Sequence, residues 1–182
     1  MPTLVLDPPP AELQALLERR RRWGADIHDE VWDGVLHMAP APEYRHAAIA
    51  QQLAELLGPP ARAAGLWPTM HEFNIGDSER DYRVPDGGLH RPGAGGTWLP
   101  TAALVVEILS PGDETMAKLP FYAAHGVDEV LIVDPEGRSV RWLGLTKGQA
   151  GGEGRQASYE PIERSSLIAL GPAELEGRLD WP

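Results

Sequence analysis

Apolar residues recur along the chain with two periods, which divide it into helical and extended stretches. In "DPPPAELQALLERRRRWG", residues 7–24, Leu13, Leu16 and Leu17 share a helical face behind prolines suited to a helix start, and Gly24 marks the end. "EVWDGVLHM" sets Asp33-Gly34 between β-prone pairs, a strong two-residue hairpin signal. "EYRHAAIAQQLAELLG" repeats Ile49, Leu53, Leu56 and Leu57 at helical spacing, and Gly58 and Pro59 predict its stop. Three strands follow, "MHEFNIG", "DYRVPDGGLH" and "AALVVEIL". The polar turn "DSER" joins the first two, and Pro100 and Pro111 flank the third. A helix around "DETMAKLPFYAAHG" then precedes the strand "EVLIVD", the turn "PEGR" and the strand "SVRWLGL". "GQAGGEGRQ" reads as a surface loop, its glycines lacking phosphate-loop spacing. With no internal repeat, this order predicts an α/β fold: a mixed central β-sheet flanked by helices, with an N-terminal helix and β-hairpin.

Composition narrows the picture. A chain of 182 residues, 42% hydrophobic and 24% charged, can bury one core and is short for two, so a single domain over residues 1–182 is expected. No apolar run approaches the roughly 18 residues of a membrane helix, and "MPTLVLDPPP" lacks the basic start and cleavage site of a signal peptide. A cytoplasmic protein without membrane attachment is expected. The absence of cysteine removes disulfides and thiolate metal sites, leaving His, Asp and Glu as ligands; their oxygens favour Mg²⁺ or Mn²⁺. A formal net charge of -11 means that any polyanion must be met by a local basic patch. Arg19 to Arg22 form a basic run at a helix end, where cations also complement the helix dipole, and both readings stay open.

"LVVEILSPGDETMAKLPFY", residues 104–122, sets a carboxylate inside a run built for burial. Alternation places Val105, Glu107 and Leu109 on one face of the strand and Leu104, Val106 and Ile108 on the other. A buried carboxylate protonates, pairs or binds a metal. Glu107 lies near the carboxyl end of its strand, where α/β sheets open onto ligand crevices. Asp86 follows Pro85 and precedes Gly87-Gly88, which lets its carboxylate turn toward the same crevice. Glu72 alternates with His71 and Phe73, so it is either a third acidic ligand or an exposed strand residue. Ser110 and Asp113 have the spacing of a helix capping box, and Asp134 reads as a turn residue. Ser110 has neither a base partner nor a nucleophile-elbow setting, which excludes a serine hydrolase.

Pro85-Asp86 followed 21 positions later by Glu107 resembles the signature of the PD-(D/E)XK nuclease superfamily, the restriction-endonuclease-like fold. More narrowly, "EVWDGVLHMAP", His46, "RVPDGGL", "LVVEILSP", Lys118, Tyr122 and "GVDEVLIVDP", in this order, resemble a large bacterial family of uncharacterised restriction endonucleases. The resemblance runs from about Glu12 to Leu145. It implies a metal-dependent endonuclease that hydrolyses phosphodiester bonds, DNA foremost. Asp86 and Glu107 would hold Mg²⁺ or Mn²⁺, and Lys118 would join them as a catalytic residue. The superfamily places its lysine two residues after the second carboxylate, where this chain has Leu109; the narrower family's lysine lies on the following helix and matches Lys118. Glu72 and His46 are possible additional site residues, His46 being equally a satisfied helix histidine. Two alternatives remain: a nuclease-like scaffold without turnover that binds or regulates, and a metal-dependent phosphoesterase acting on something smaller. Homo-oligomerisation is compatible with either.

Overall fold

The computed structural model of the chain describes residues 10–112, 114–146 and 157–182; residues 7–9 of the expected first helix, Asp113 and the glycine-rich stretch 148–156 lie outside the described residues. The elements in chain order are α1 (Ala11–Arg22), β1 (Glu30–Trp32), β2 (Val35–His37), α2 (Tyr44–Ala63), β3 (Trp67–Thr69), β4 (Asn74–Ser78), β5 (Asp81–Arg83), β6 (Gly87–His90), β7 (Trp98–Leu99), β8 (Leu104–Ile108), α3 (Thr115–Ala124), β9 (Glu129–Asp134), β10 (Ser139–Thr146), β11 (Ser158–Pro161) and α4 (Pro172–Glu176). The α/β class is as expected. The strands, however, form two mixed sheets, one ordered β2-β1-β5-β4-β7 and the other β11-β10-β9-β8-β6-β3.

The division into two sheets begins at Pro85. "DYRVPDGGLH" was expected as one strand; instead β5 belongs to the first sheet and β6 to the second. Proline cannot donate to a ladder, so pairing stops there. It resumes when the Asp86 amide donates to the Val106 carbonyl, 3.1 Å. The glycines that follow are required by close approach. A Cβ at Gly88 would stand 2.7 Å from the Phe73 ring and 2.8 Å from the Leu104 carbonyl oxygen, and one at Gly87 would stand 2.7 Å from Met70 Sδ. "MHEFNIG" is a strand only from Asn74: residues 70–73 lie outside any strand, between β3 of one sheet and β4 of the other. The alternation expected for Glu72 therefore does not apply.

The hairpin forms as expected. Asp33 and Gly34 take positive φ of 48° and 84°, and Trp32 faces Val35 across the turn. Helix α2 overruns its expected stop: Gly58, Pro59 and Pro60 lie inside it. Each proline lacks the N–H for one helical bond. The face of Ile49, Leu53, Leu57 and Ala61 is nevertheless wholly buried, so packing holds the last turn where local propensity would end it.

The parity expected for β8 holds. Leu104, Val106 and Ile108 pack in a cluster with Ile49, Leu53 and Leu57 of α2, while Val105 packs with Tyr122 of α3, Val130 and Ile132. The two helices thus lie on opposite faces of this strand. Leu109 joins the Tyr122 side, partly buried. At the other end of the sheet, the buried Glu129 carboxylate accepts from Trp142 Nε1, both hydroxyls of Ser165 and Ser166, and the Ser166 amide, tying the C-terminal segment to β9. No helix among the described residues is long and apolar enough to cross a membrane.

Candidate functional site

At the carboxyl end of β8 the chain encloses a cavity of about 450 Å³. One side is the β1–β2 hairpin and the segment after it, with Glu30, Trp32, His37 and Met38. The other is formed by Asp86, Glu107, Ser110 and Lys118. Asp86 is placed by its neighbours: its Oδ2 accepts the Ile108 N–H at 2.7 Å, and its Oδ1 stands 3.1 Å from His46 Nε2 on α2. His46 Nδ1 lies 3.4 Å from Ser110 Oγ. With Nε2–H donating to Asp86, Nδ1 accepts from the Ser110 hydroxyl.

Glu107 has almost no exposure, and α3 supplies it with donors at helical spacing. Thr115 Oγ1 donates to Oε2 at 3.5 Å, Lys118 Nζ reaches the two oxygens at 3.2 and 3.1 Å, and the Tyr122 hydroxyl donates to Oε1. These residues sit at positions i, i+3 and i+7, one face of a helix. Lys118 also meets Glu30 Oε1 at 2.9 Å. Burial pushes the Glu107 carboxyl up to about 8; Lys118 pulls it down, and Asp86 and Glu30 add to the rise. Burial likewise works against the Lys118 ammonium, but the Glu107 and Glu30 carboxylates more than offset it and hold its pKa above the ordinary value. Burial, then Glu107, raise the Tyr122 phenol well above its usual range, so it acts as a donor.

Glu30 is the residue that sequence reasoning missed. Its carboxylate accepts the Val84 amide at 2.8 Å and Trp32 Nε1 at 2.6 Å in addition to Lys118. Trp32 is fixed in turn: it stacks on His37 at 4.1 Å, while the Arg83 guanidinium lies over it at 4.4 Å and over Phe121 of α3 at 4.0 Å. The guanidinium therefore joins the hairpin to the helix that carries Lys118. The available signal was the alternation of Glu30 with Trp32 on one strand face, though nothing in the spacing linked it to Lys118.

The structure brings Asp86, Glu107, Lys118 and His46 together and leaves Glu72 apart. Glu72 is exposed, stands 3.4 Å from His28 Nδ1, and is not part of the cavity wall. Ser110 is no helix cap, since α3 begins at Thr115 after Glu114; it lines the cavity, and contrary to the expectation from sequence it has a base partner, His46. Asp134 accepts the Glu136 and Gly137 amides, a turn residue as expected. Arg20 is structural, its guanidinium bound to Asp29 and to the Ala25 and Ala39 carbonyls.

Among the described residues no group of three or more His, Asp or Glu side chains is arranged to hold a metal ion. The donors present nonetheless fit a hard divalent cation. Mg²⁺ is commonly held by one or two carboxylates, with water and substrate oxygens completing its sphere. Here burial, with Asp86 and Glu30 close by, raises the Glu107 carboxyl to about 8 although Lys118 stands against it, and a bound cation would favour its ionised form.

The family described as "Putative restriction endonuclease" (Uma2) matches residues 12–176. Among solved structures, the fold is similar to that of a protein from Anabaena variabilis ATCC 29413 described as a putative nuclease belonging to DUF820, with 16% identity, a TM-score of 0.58, and 82% of this chain and 90% of that one covered. No curated protein matches the chain.

Proposed function

The chain belongs to the Uma2 restriction-endonuclease-like family, and from that premise we propose that it is a metal-dependent nuclease that hydrolyses phosphodiester bonds, DNA foremost, at the Asp86–Glu107–Lys118 cluster. The observation that carries the reading is the convergence of Lys118, arriving from α3, on the carboxylate of β8 beside Asp86. Asp86 and Glu107 would hold Mg²⁺ or Mn²⁺, which when bound supplies Lewis-acid polarisation of a phosphate oxygen. Lys118 keeps its ammonium charged and immobile between Glu107 and Glu30, so charge that develops on the phosphate meets a donor already in place. His46 and the Ile108 amide hold the two oxygens of Asp86, fixing the carboxylate's orientation. Tyr122 and Thr115 do the same for Glu107.

The decisive assay is cleavage of plasmid, linear duplex, single-stranded DNA and RNA with Mg²⁺ or Mn²⁺, with Asp86→Ala as control. Metal-dependent cleavage that Asp86→Ala lacks supports the reading; equal cleavage by both proteins rejects the site. A second reading, a phosphoesterase for a smaller substrate, is favoured by the cavity wall itself. Glu30, Glu43, Asp86, Glu107 and Glu114 line it, against Lys118 as its only Lys or Arg among the described residues. Turnover of small phosphodiesters without nucleic-acid cleavage would select it.

A further inference from the structure

The acidic cavity wall leaves a question that rests on the nuclease reading: where a nucleic-acid strand finds the cations that hold its phosphates. We propose that the exposed end of α1, with Arg19, Arg22 and Trp23, is the surface on which a strand with unpaired bases docks as it enters the cavity.

The four arginines of the run divide into two kinds. Arg20 is a fastener: its guanidinium grips Asp29 and the carbonyl of Ala39, a cavity-wall residue, so the end of α1 is anchored at the cavity's rim. The other three are exposed, Arg21 among them, on the side of the helix nearer Tyr82. Arg19 and Arg22 are exposed, and neither forms an ion pair or side-chain hydrogen bond among the described residues. They stand three positions apart, hence on one helical face, and Trp23 follows at the fourth position from Arg19. Trp23, the residue that caps the helix, is 74% exposed, an indole left in water at the end that carries the arginines. A nucleic-acid strand satisfies all three: phosphates take the guanidinium groups, and an unpaired base covers the indole by stacking. Charge complementarity singles out this partner, because exposed arginines without an ion pair among the described residues stand on the helix end that Arg20 anchors at the cavity rim, in a chain whose formal net charge is -11.

The test compares wild type with Arg19→Gln/Arg22→Gln and with Trp23→Ala. Binding of a fluorescein-labelled single-stranded oligodeoxynucleotide and of its duplex is measured by anisotropy without divalent metal, across about 50–200 mM salt, and cleavage at saturating substrate is measured separately. The arginine variant is expected to bind the single strand roughly tenfold more weakly or worse, with a salt slope shallower by about 1.4, while cleavage at saturation is retained. Trp23→Ala is expected to lose roughly tenfold on the single strand and little on the duplex. Wild type that cleaves, with affinity and slope unchanged in the arginine variant, overturns the docking surface and leaves the nuclease reading standing. Wild type that binds as described without cleaving any substrate supports the surface and rejects the nuclease reading. A Trp23→Ala protein that changes oligomeric state without changing affinity makes the patch a contact between copies of this chain, and overturns the proposal.

Discussion

Replacing Lys118 by methionine preserves side-chain length and removes the ammonium that faces Glu30 at 2.9 Å and Glu107 at 3.1 Å. The lysine side chain is 12% exposed and that of Glu107 3%, so bulk water screens the pair little. Removing one partner of such a buried pair costs ~3–5 kcal/mol, because the other charge is left uncompensated. For a chain of this length that is a fall in Tm of roughly 6–20 °C. The pH dependence gives a second handle. The folded pKa of Glu107, about 8, lies above its unfolded value of 4.5. Between those values the folded state holds a proton that the unfolded state has lost, so stability falls as pH rises through this window. In wild type the fall ends as pH passes the folded pKa, where Glu107 ionises against Lys118. Without Lys118 that pKa moves higher and the fall continues, at ~1.4 kcal/mol per pH unit. The deficit of the variant is therefore expected to widen by about 2 kcal/mol between pH 8 and 9.5. Thermal melts followed by circular dichroism at both pH values measure it. A fall in Tm below about 2 °C, the size of an ordinary surface change, would refute the reasoning, as would a deficit identical at pH 8 and 9.5.

Three further outcomes are expected. Saturating Mn²⁺ should raise the wild-type Tm by roughly 5–10 °C, the effect of ~2.7 kcal/mol at a hundred times Kd; the rise should vanish in Asp86→Ala and grow from pH 6.5 to 8.5 as Glu107 sheds its proton. Glu107→Gln without metal should melt above wild type at pH 8 and converge with it near pH 5, because wild type alone loses stability across that window; melts with no such convergence would place the ionisation elsewhere. Lys118→Ala should lower metal-dependent cleavage by roughly 10²-fold or more, and adding Leu109→Lys should recover part of it, since Leu109 lies on the Tyr122 side of the strand; a folded double mutant as inactive as the single one rejects the spatial equivalence of the two positions.

What was legible in the sequence was local or periodic. Asp33-Gly34 announced its hairpin because few residues accept positive φ, and the face of Glu107 followed from the two-residue period of a strand. Lys118 was recognisable through family resemblance, and its helical spacing from Thr115 and Tyr122 explains how one helix serves one carboxylate. What was illegible depended on distant packing. The run through Pro59 and Pro60 is helical because Leu57 and Ala61 are buried, which local propensity does not encode. Glu30 joins Lys118 across 88 positions by way of a tertiary contact between the hairpin and α3. Glu72 was placed by alternation in a strand that begins only at Asn74.

The position of the lysine also bears on whether the cluster is for chemistry or for stability. A lysine at position 109 would enter the apolar group of Val105, Tyr122 and Ile132, which Leu109 now joins, and would lose packing and hydration together. From α3 the ammonium reaches Glu107 while position 109 stays apolar. Stability alone does not favour the result. Holding Glu107 buried beside Glu30 and Asp86 raises its pKa and costs stability as pH rises, and apolar side chains of similar volume in place of a buried ion cluster are commonly neutral or stabilising. A scaffold kept only for binding would have no physical need of a buried Glu107 near the carboxyl end of β8. The proposed nuclease would, because a carboxyl that burial keeps protonated in the metal-free fold would ionise on binding a divalent cation.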